Sequence, residues 1–283
     1  MHPRNAYRRP PDLGALAKHD ANLAQYVSGN DGHASVAWDD PAAQRAVTKA
    51  LLREDFGVHA TLAPDRLCPT LPNRVNYVLW VEDLVRALHP CDGAPQDGAR
   101  GVDLGTGSIA VYACLVCAMQ PRWTVVGTDV DDAALAHARQ VVEDPANNRP
   151  ANTLALRERI KLVHTRGPLL DDLGLVADAG AGAPPVFHFT MLNPPFYASE
   201  EERAASASAK RVPRAWMAGQ SAEMYTPGGE AALVLQLLDE SLRWREQIAA
   251  TRSGGRSRGR SAGVARPTPW RAACPMSRRR HVC

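Results

Sequence analysis

The peptide Asn193-Pro194-Pro195-Phe196 sets three groups that suit a flat amine in a row. The Asn193 amide oxygen can accept from an amine N–H, and the Pro194 carbonyl is a second acceptor on a residue with no backbone donor. Phe196 offers a ring face on which a flipped-out base can stack, worth roughly 1–3 kcal/mol. Adenine N6 is an amine that needs such help, because its lone pair is delocalised into the ring. Two acceptors on its hydrogens push the nitrogen toward tetrahedral geometry. They also stabilise the positive charge that develops as it takes a methyl group from a sulfonium. Alignment of the two reactants supplies the rest, with no metal and no covalent nucleophile. Pro194 and Pro195 cannot extend a central strand, so the chain leaves the sheet there and Asn193 falls at the strand's C-terminal edge. The bland alternative is a chance turn.

A second segment, Val102-Asp103-Leu104-Gly105-Thr106-Gly107, reads as a strand-to-helix turn whose glycines let backbone approach a ligand. Position 110 is Ala, where the dinucleotide fingerprint has its third Gly or a tolerated Ala. Asp129 ends the next predicted strand, where a carboxylate can accept from a ribose diol. NAD and S-adenosyl-L-methionine both carry that diol. A tight turn with an N-capping Asp explains the segment without a ligand.

The surrounding pattern supplies a scaffold. Asp40-Pro41 opens a helix over 42–55, with Ala43, Ala46, Val47, Ala50 and Leu51 on one face. A second helix is expected over 77–88. Residues 91–99 read as a linker. Strands are then expected at 101–104, 123–130, 160–164 and 186–192, with helices at 108–119, 131–143 and 229–248. Strands alternating with helices give an α/β, doubly wound parallel sheet with ligands at its C-terminal edge. Residues 198–228 read as a mobile loop. The organisation expected is a helical module at 1–90, a sheet domain at 91–250 and a tail at 251–283.

Composition narrows the class. Nothing resembles a membrane span or a signal peptide, so a chain of 283 residues with 45% hydrophobic content reads as an intracellular globular protein. Cys114 and Cys117 form a C-x-x-C among apolar neighbours, with no second ligand pair for zinc, and read as helix packing. The formal charge of +3 hides a split. Nine Arg lie in 251–283 with no acid, leaving 24 basic against 30 acidic residues in 1–250, a net −6. RNA contact must then come from local patches. The tail itself reads as a basic RNA-binding or targeting segment, or as translated intron or shifted frame; the second reading is taken.

Taken in order, several segments resemble the RNA adenine-N6 methyltransferases related to methyltransferase-like protein 16 and to the bacterial ribosomal RNA adenine-N6 enzymes. They are His2-Pro3-Arg4-Asn5-Ala6-Tyr7, Leu51-Leu52-Arg53-Glu54-Asp55-Phe56-Gly57, Pro72-Asn73-Arg74-Val75-Asn76-Tyr77, Trp80-Val81-Glu82-Asp83-Leu84, Asp103 to Gly107, Asp129 to Asp132 and the Asn193 peptide. The resemblance implies a Rossmann-like class I methyltransferase sheet, an N-terminal RNA-binding module, S-adenosyl-L-methionine as cofactor and no metal. It implies U6 small nuclear RNA or a similar hairpin as partner, at an ACAGA-type adenine, in the nucleus or else the cytoplasm. By position it implies Asn193, Pro194, Pro195 and Phe196 as catalytic residues. Arg74, Gly105, Asp129, Pro168 and Asn193 are implied to bind the cofactor, with Arg74 on its carboxylate. The family commonly has Glu at position 129 and a Thr at position 168. Arg4, Tyr7, Arg8 and Arg9 are candidates for phosphate contact, and Lys210-Arg211-Val212-Pro213-Arg214 for gating the RNA channel. The family continues past residue 248 with further strands that this chain replaces by its tail. A catalytically inactive RNA-binding protein is therefore the competing expectation. A protein-glutamine methyltransferase and a nucleotide dehydrogenase fit fewer of the motifs.

Overall fold

Fourteen helices and strands of two residues or more, with two short 3-10 turns, build the described part of the computed structural model. It describes residues 1–29, 34–88, 98–149, 154–167, 169–171, 187–195, 199–202 and 225–244. The linker at 91–97, Pro168, Phe196, the 210–214 segment and the tail lie outside the described residues.

The N-terminal part is helical. It comprises α1 (Leu13–His19), α2 (Ala21–Ala24), a hairpin of β1 (Val27–Ser28) and β2 (Ser35–Val36), α3 (Pro41–Phe56) and α4 (Leu71–Leu88). The Asp40 side chain caps α3 by accepting from Ala42 N, Pro41 fills its first turn, and Gly57 at φ 65° ends it. All five apolar positions expected on its face are buried. The helix α4 begins six residues earlier than the periodicity predicts. Pro72 sits in its first turn, where a missing N–H leaves nothing unsatisfied. The Thr70 carbonyl accepts from Asn73 N and Arg74 N and starts the helix there. That extra turn puts Arg74 on a helix.

The sheet follows: β3 (Arg100–Leu104), α5 (Val111–Met119), β4 (Thr124–Asp129), α6 (Asp132–Glu143), the short α7 (Leu156–Arg159), β5 (Ile160–His164), β6 (Phe189–Leu192) and α8 (Gly229–Arg243). Asp131 caps α6 through Ala133 N and Ala134 N. The start of α5 falls at Val111, three residues later than expected. Residues 107–110 form a turn, and Ala110 takes a left-handed φ of 46°. All four strands are parallel in the order β5-β4-β3-β6. The chain moves outward from β3 to β5, then returns to β3's other side. The order therefore reverses between β3 and β6, and the crevice of a Rossmann-like sheet opens there.

Alternating residues serve two faces. Val125, Phe189 and Met191 join α5, α6 and the buried faces of α3 and α4 in one continuous core. Val102, Leu104 and Val126 pack with Phe187 and Leu170 on the opposite face, under Leu237 and Trp244. The N-terminal helices and the sheet thus share a core. Among the described residues, no helix is long and apolar enough to cross a membrane.

Candidate active site

Register alone brings the predicted residues together. Leu104 lies between Thr128 of β4 and Leu192 of β6. Gly105, Asp129 and Asn193 are the residues that follow, so all three stand at one C-terminal edge. Two strand spacings separate Asp129 from Asn193, roughly 10 Å, the width of a nucleoside.

The glycine turn is held from β4. Thr106 N donates to Thr128 O at 2.8 Å, and Gly107 N donates to Asp129 Oδ2 at 2.9 Å. Asp129 Oδ1 accepts from Asp131 N at 3.0 Å. Both carboxylate oxygens are thus fixed by backbone, with lone pairs left for a diol. Gly105 and Gly107 have φ of 67° and 70°, and a Cβ on either would meet nothing within 4 Å. The glycines are needed for the left-handed turn and face open space, which fits a ligand lying along the loop.

Asn193 is half-buried, as are Pro194 and Pro195. Its side chain does not hang free. Arg74 Nη1 donates to Asn193 Oδ1 at 2.9 Å and to the Tyr112 hydroxyl at 2.8 Å. The guanidinium carbon lies 5.3 Å from the Tyr112 ring centre, a cation–π distance. Arg74 Nε is buried and has no partner. Tyr77, one turn along α4, accepts from Leu192 N at 3.3 Å and meets the Tyr112 ring edge-on at 5.4 Å. Sequence reading had no role for Tyr112. The available signal was a phenol in the first turn of an otherwise apolar helix. Burial pushes its pKa up to about 12, so it stays protonated.

Beneath the glycine turn lies Asp103, fully buried. Thr106 Oγ1 donates to its Oδ2 at 2.6 Å, while Oδ1 has no partner. Burial first, and then the Asp129 charge, pushes its pKa up to about 7, against the pull of Thr106 and Arg74.

Two expectations need correction. Arg4 is not free for phosphate, since it pairs with Glu82 at 2.7 Å and with Asp83 on α4. Nor is Tyr7, whose buried hydroxyl donates to Asp55 Oδ2 at 2.6 Å. Arg8 and Arg9 remain exposed. Cys114 and Cys117 are buried, and burial pushes both thiols up, which suits packing rather than redox chemistry. Among the described residues, no cluster of side chains could hold a metal. An S-adenosylmethionine fits what is present: the open glycine turn, the Asp129 carboxylate and an unpartnered guanidinium nitrogen on Arg74.

Comparison with known proteins agrees with that geometry. A family described as RNA methyltransferase matches residues 1–253. The human RNA N(6)-adenosine-methyltransferase METTL16 is 33% identical over 88% of this chain and 42% of its own length. The ribosomal RNA large subunit methyltransferase F of Pseudomonas entomophila is 31% identical over 88% of this chain and 78% of its own. The chain thus spans less than half the length of the vertebrate relatives it matches. Among solved structures, the human Mettl16 catalytic domain in complex with MAT2A 3'UTR hairpin 1 is similar at a TM-score of 0.72 and 32% identity, covering 88% of this chain and 79% of that one. The N-terminal domain of human METTL16 in complex with SAH gives 0.64 and 31%, covering 88% and 80%.

Proposed function

Since the chain belongs to the RNA methyltransferase family, we propose that it transfers a methyl group from S-adenosylmethionine to N6 of an adenine in structured RNA. The observation that carries this reading is the shared edge of Gly105, Asp129 and Asn193 at the sheet's switch point. The cofactor supplies an electrophilic methyl on a sulfonium that accepts the electron pair as the amine attacks. The chain's own residues do the rest. The Gly105–Gly107 backbone and Asp129 hold the nucleoside end. Asn193 Oδ1 and the Pro194 carbonyl accept hydrogen bonds from the two amine N–H groups, align the nitrogen and stabilise its growing charge, and one of those protons passes to water once the methyl is in place. Phe196 stacks on the base. The N-terminal helices contribute the RNA-binding module.

The finer reading takes U6 small nuclear RNA as the target and the nucleus as the place of action. Support comes from resemblance to adenosine methyltransferases whose solved complexes hold RNA hairpins. The test is transfer of labelled methyl to an ACAGA hairpin, with a ribosomal RNA fragment and a MAT2A-type hairpin in competition. Asn193→Ala is expected to lower kcat roughly 10²- to 10³-fold, the usual loss on removing one preorganised polar group from a developing charge. Binding of S-adenosylhomocysteine should change by no more than a few-fold. Hairpin binding with no transfer by the unaltered chain would instead mark a non-catalytic RNA-binding protein.

A further inference from the structure

Asn193 Oδ1 is the acceptor the reaction needs, and a cation already sits on it. Arg74 Nη1 divides its two hydrogens between that oxygen and the Tyr112 hydroxyl, at 2.9 and 2.8 Å. The arrangement opposes catalysis in two ways. A guanidinium withdraws density from the amide oxygen, and it adds positive charge beside a nitrogen that becomes positive as it reacts. The same arrangement leaves Arg74 Nε buried without an acceptor, an unfavourable state for a charged donor. One event relieves both. The Nε–Nη edge of a guanidinium matches a carboxylate with two parallel hydrogen bonds.

We propose that Arg74 is an exchange residue. Without an anion its guanidinium holds the Asn193 carboxamide. When a carboxylate occupies its free edge, its charge is neutralised and Asn193 Oδ1 is released to the base amine. The amino-acid carboxylate of S-adenosylmethionine is the anion, so this inference rests on the methyltransferase reading. Arg74 is then a positioning residue that couples the two sites. Tyr112, on a separate helix and protonated, keeps the guanidinium in place on both sides of the exchange. Cofactor binding therefore raises affinity for the target adenine, and the cofactor enters first.

Binding rather than turnover tests this. A labelled hairpin with one unpaired ACAGA target adenine is titrated with the full chain alone, with saturating S-adenosylhomocysteine, or with saturating 5'-methylthioadenosine. The last is the same nucleoside thioether without the carboxylate. S-adenosylhomocysteine is expected to tighten hairpin binding roughly tenfold, within the usual range of coupling between sites. Methylthioadenosine leaves it unchanged. A hairpin with purine at the target position, lacking the amine, shows no coupling with either ligand. Arg74→Lys, which keeps the charge and loses the fork, abolishes the response. Equal tightening by both ligands, or coupling that survives the missing amine, overturns the exchange. So does S-adenosylhomocysteine binding with no change in hairpin affinity, while methyl transfer proceeds. Failure to bind S-adenosylhomocysteine at all overturns the methyltransferase reading as well. Should Arg74→Lys not fold, the comparison of the two ligands on the unaltered chain decides alone.

Discussion

Asp103 shows what a single buried side chain can do to this protein. Its ordinary carboxylate value is near 3.9, and burial pushes it up to about 7. Between those two pH values the folded protein keeps a proton that the unfolded chain has released. Folding stability therefore falls as pH rises from about 4 to about 7, and the full loss is present above 7. Asp103→Asn removes the titration and keeps an oxygen for Thr106. Its stability should match the unaltered chain near pH 4 and exceed it at pH 8, by about 4 kcal/mol at most. Thermal melts of both proteins across that range check it; a variant with no stability advantage over the unaltered chain at pH 8 contradicts the assignment. The residue scale also shows what sequence can and cannot disclose. Gly105, Asp129 and Asn193 were legible because each follows a local rule: a turn needing left-handed backbone, an acid at a strand end, a strand stopped by prolines. The bond between Arg74 and Asn193 spans 119 positions. No periodicity or spacing encodes it, since it depends on α4 being laid across the end of β6. In the proposed reaction, an amine bonded to the same oxygen would lie about 5 Å from that guanidinium, which would cost roughly 3 kcal/mol at an effective dielectric near 20. That one unread contact therefore matters as much to the chemistry as the legible ones.

Elements fix where those side chains go, and close packing makes two of them sensitive to small changes. On β3, a Cβ at Gly101 would lie 2.1 Å from the Phe189 ring of β6, which itself packs on Trp123 at 5.3 Å. Gly101→Ala must push β6 away from β3, and with it the Asn193 edge. We expect a loss of about 1–3 kcal/mol, the usual result of overpacking, together with weakened transfer; denaturant unfolding beside the methyl assay measures both. The last helix works from the other face. Buried Glu240 accepts from Leu170 N at 2.6 Å and from Gln236 at 2.8 Å, and Gln236 reaches Gly167 O at 3.3 Å. Asp171 adds bonds to Arg243 and Trp244. So α8 clamps the segment after β5, next to Pro168, which the family resemblance implies as a cofactor contact. Glu240→Ala leaves a buried N–H unsatisfied at about 1–3 kcal/mol. It should raise KM for S-adenosylmethionine while leaving kcat nearly unchanged, because no acceptor for the amine moves. The helix boundaries show why elements are only partly legible. The apolar face of α3 and the Asp131 cap of α6 follow from spacing and side-chain chemistry. The first turn of α4 is hidden by Pro72, and the delayed start of α5 by a left-handed Ala110. Both choices are made by tertiary contacts rather than by local propensity.

At the scale of the whole molecule, the division of labour proposed between the N-terminal helices and the sheet is not a division of stability. Leu23, Leu52, Val75 and Val78 from the N-terminal helices stand in the same core as Leu115, Val125 and Met191. Polar anchors reinforce the join: Arg66 pairs with the Asp131 cap at 2.5 Å, and the Asn147 carboxamide bridges the backbone of His59. Sequence suggested two modules because a linker composition and a change of element pattern fall near residue 90. It could not show that α4 buries itself against α5, which pattern alone leaves open. A shared core makes the two parts unfold together. Thermal unfolding followed by far-ultraviolet and near-ultraviolet circular dichroism should then give coincident transitions, as a two-state protein does. S-adenosylhomocysteine at a hundred times its Kd should stabilise the whole by about 2.7 kcal/mol, moving both signals equally although it touches only the sheet edge and α4. Two separated transitions, with only the later one moved by ligand, would mean the helices fold on their own. The coupling proposed for Arg74 requires the single transition. A residue on the N-terminal α4 can pass the state of the cofactor site to Asn193 only if α4 and β6 are held as one body.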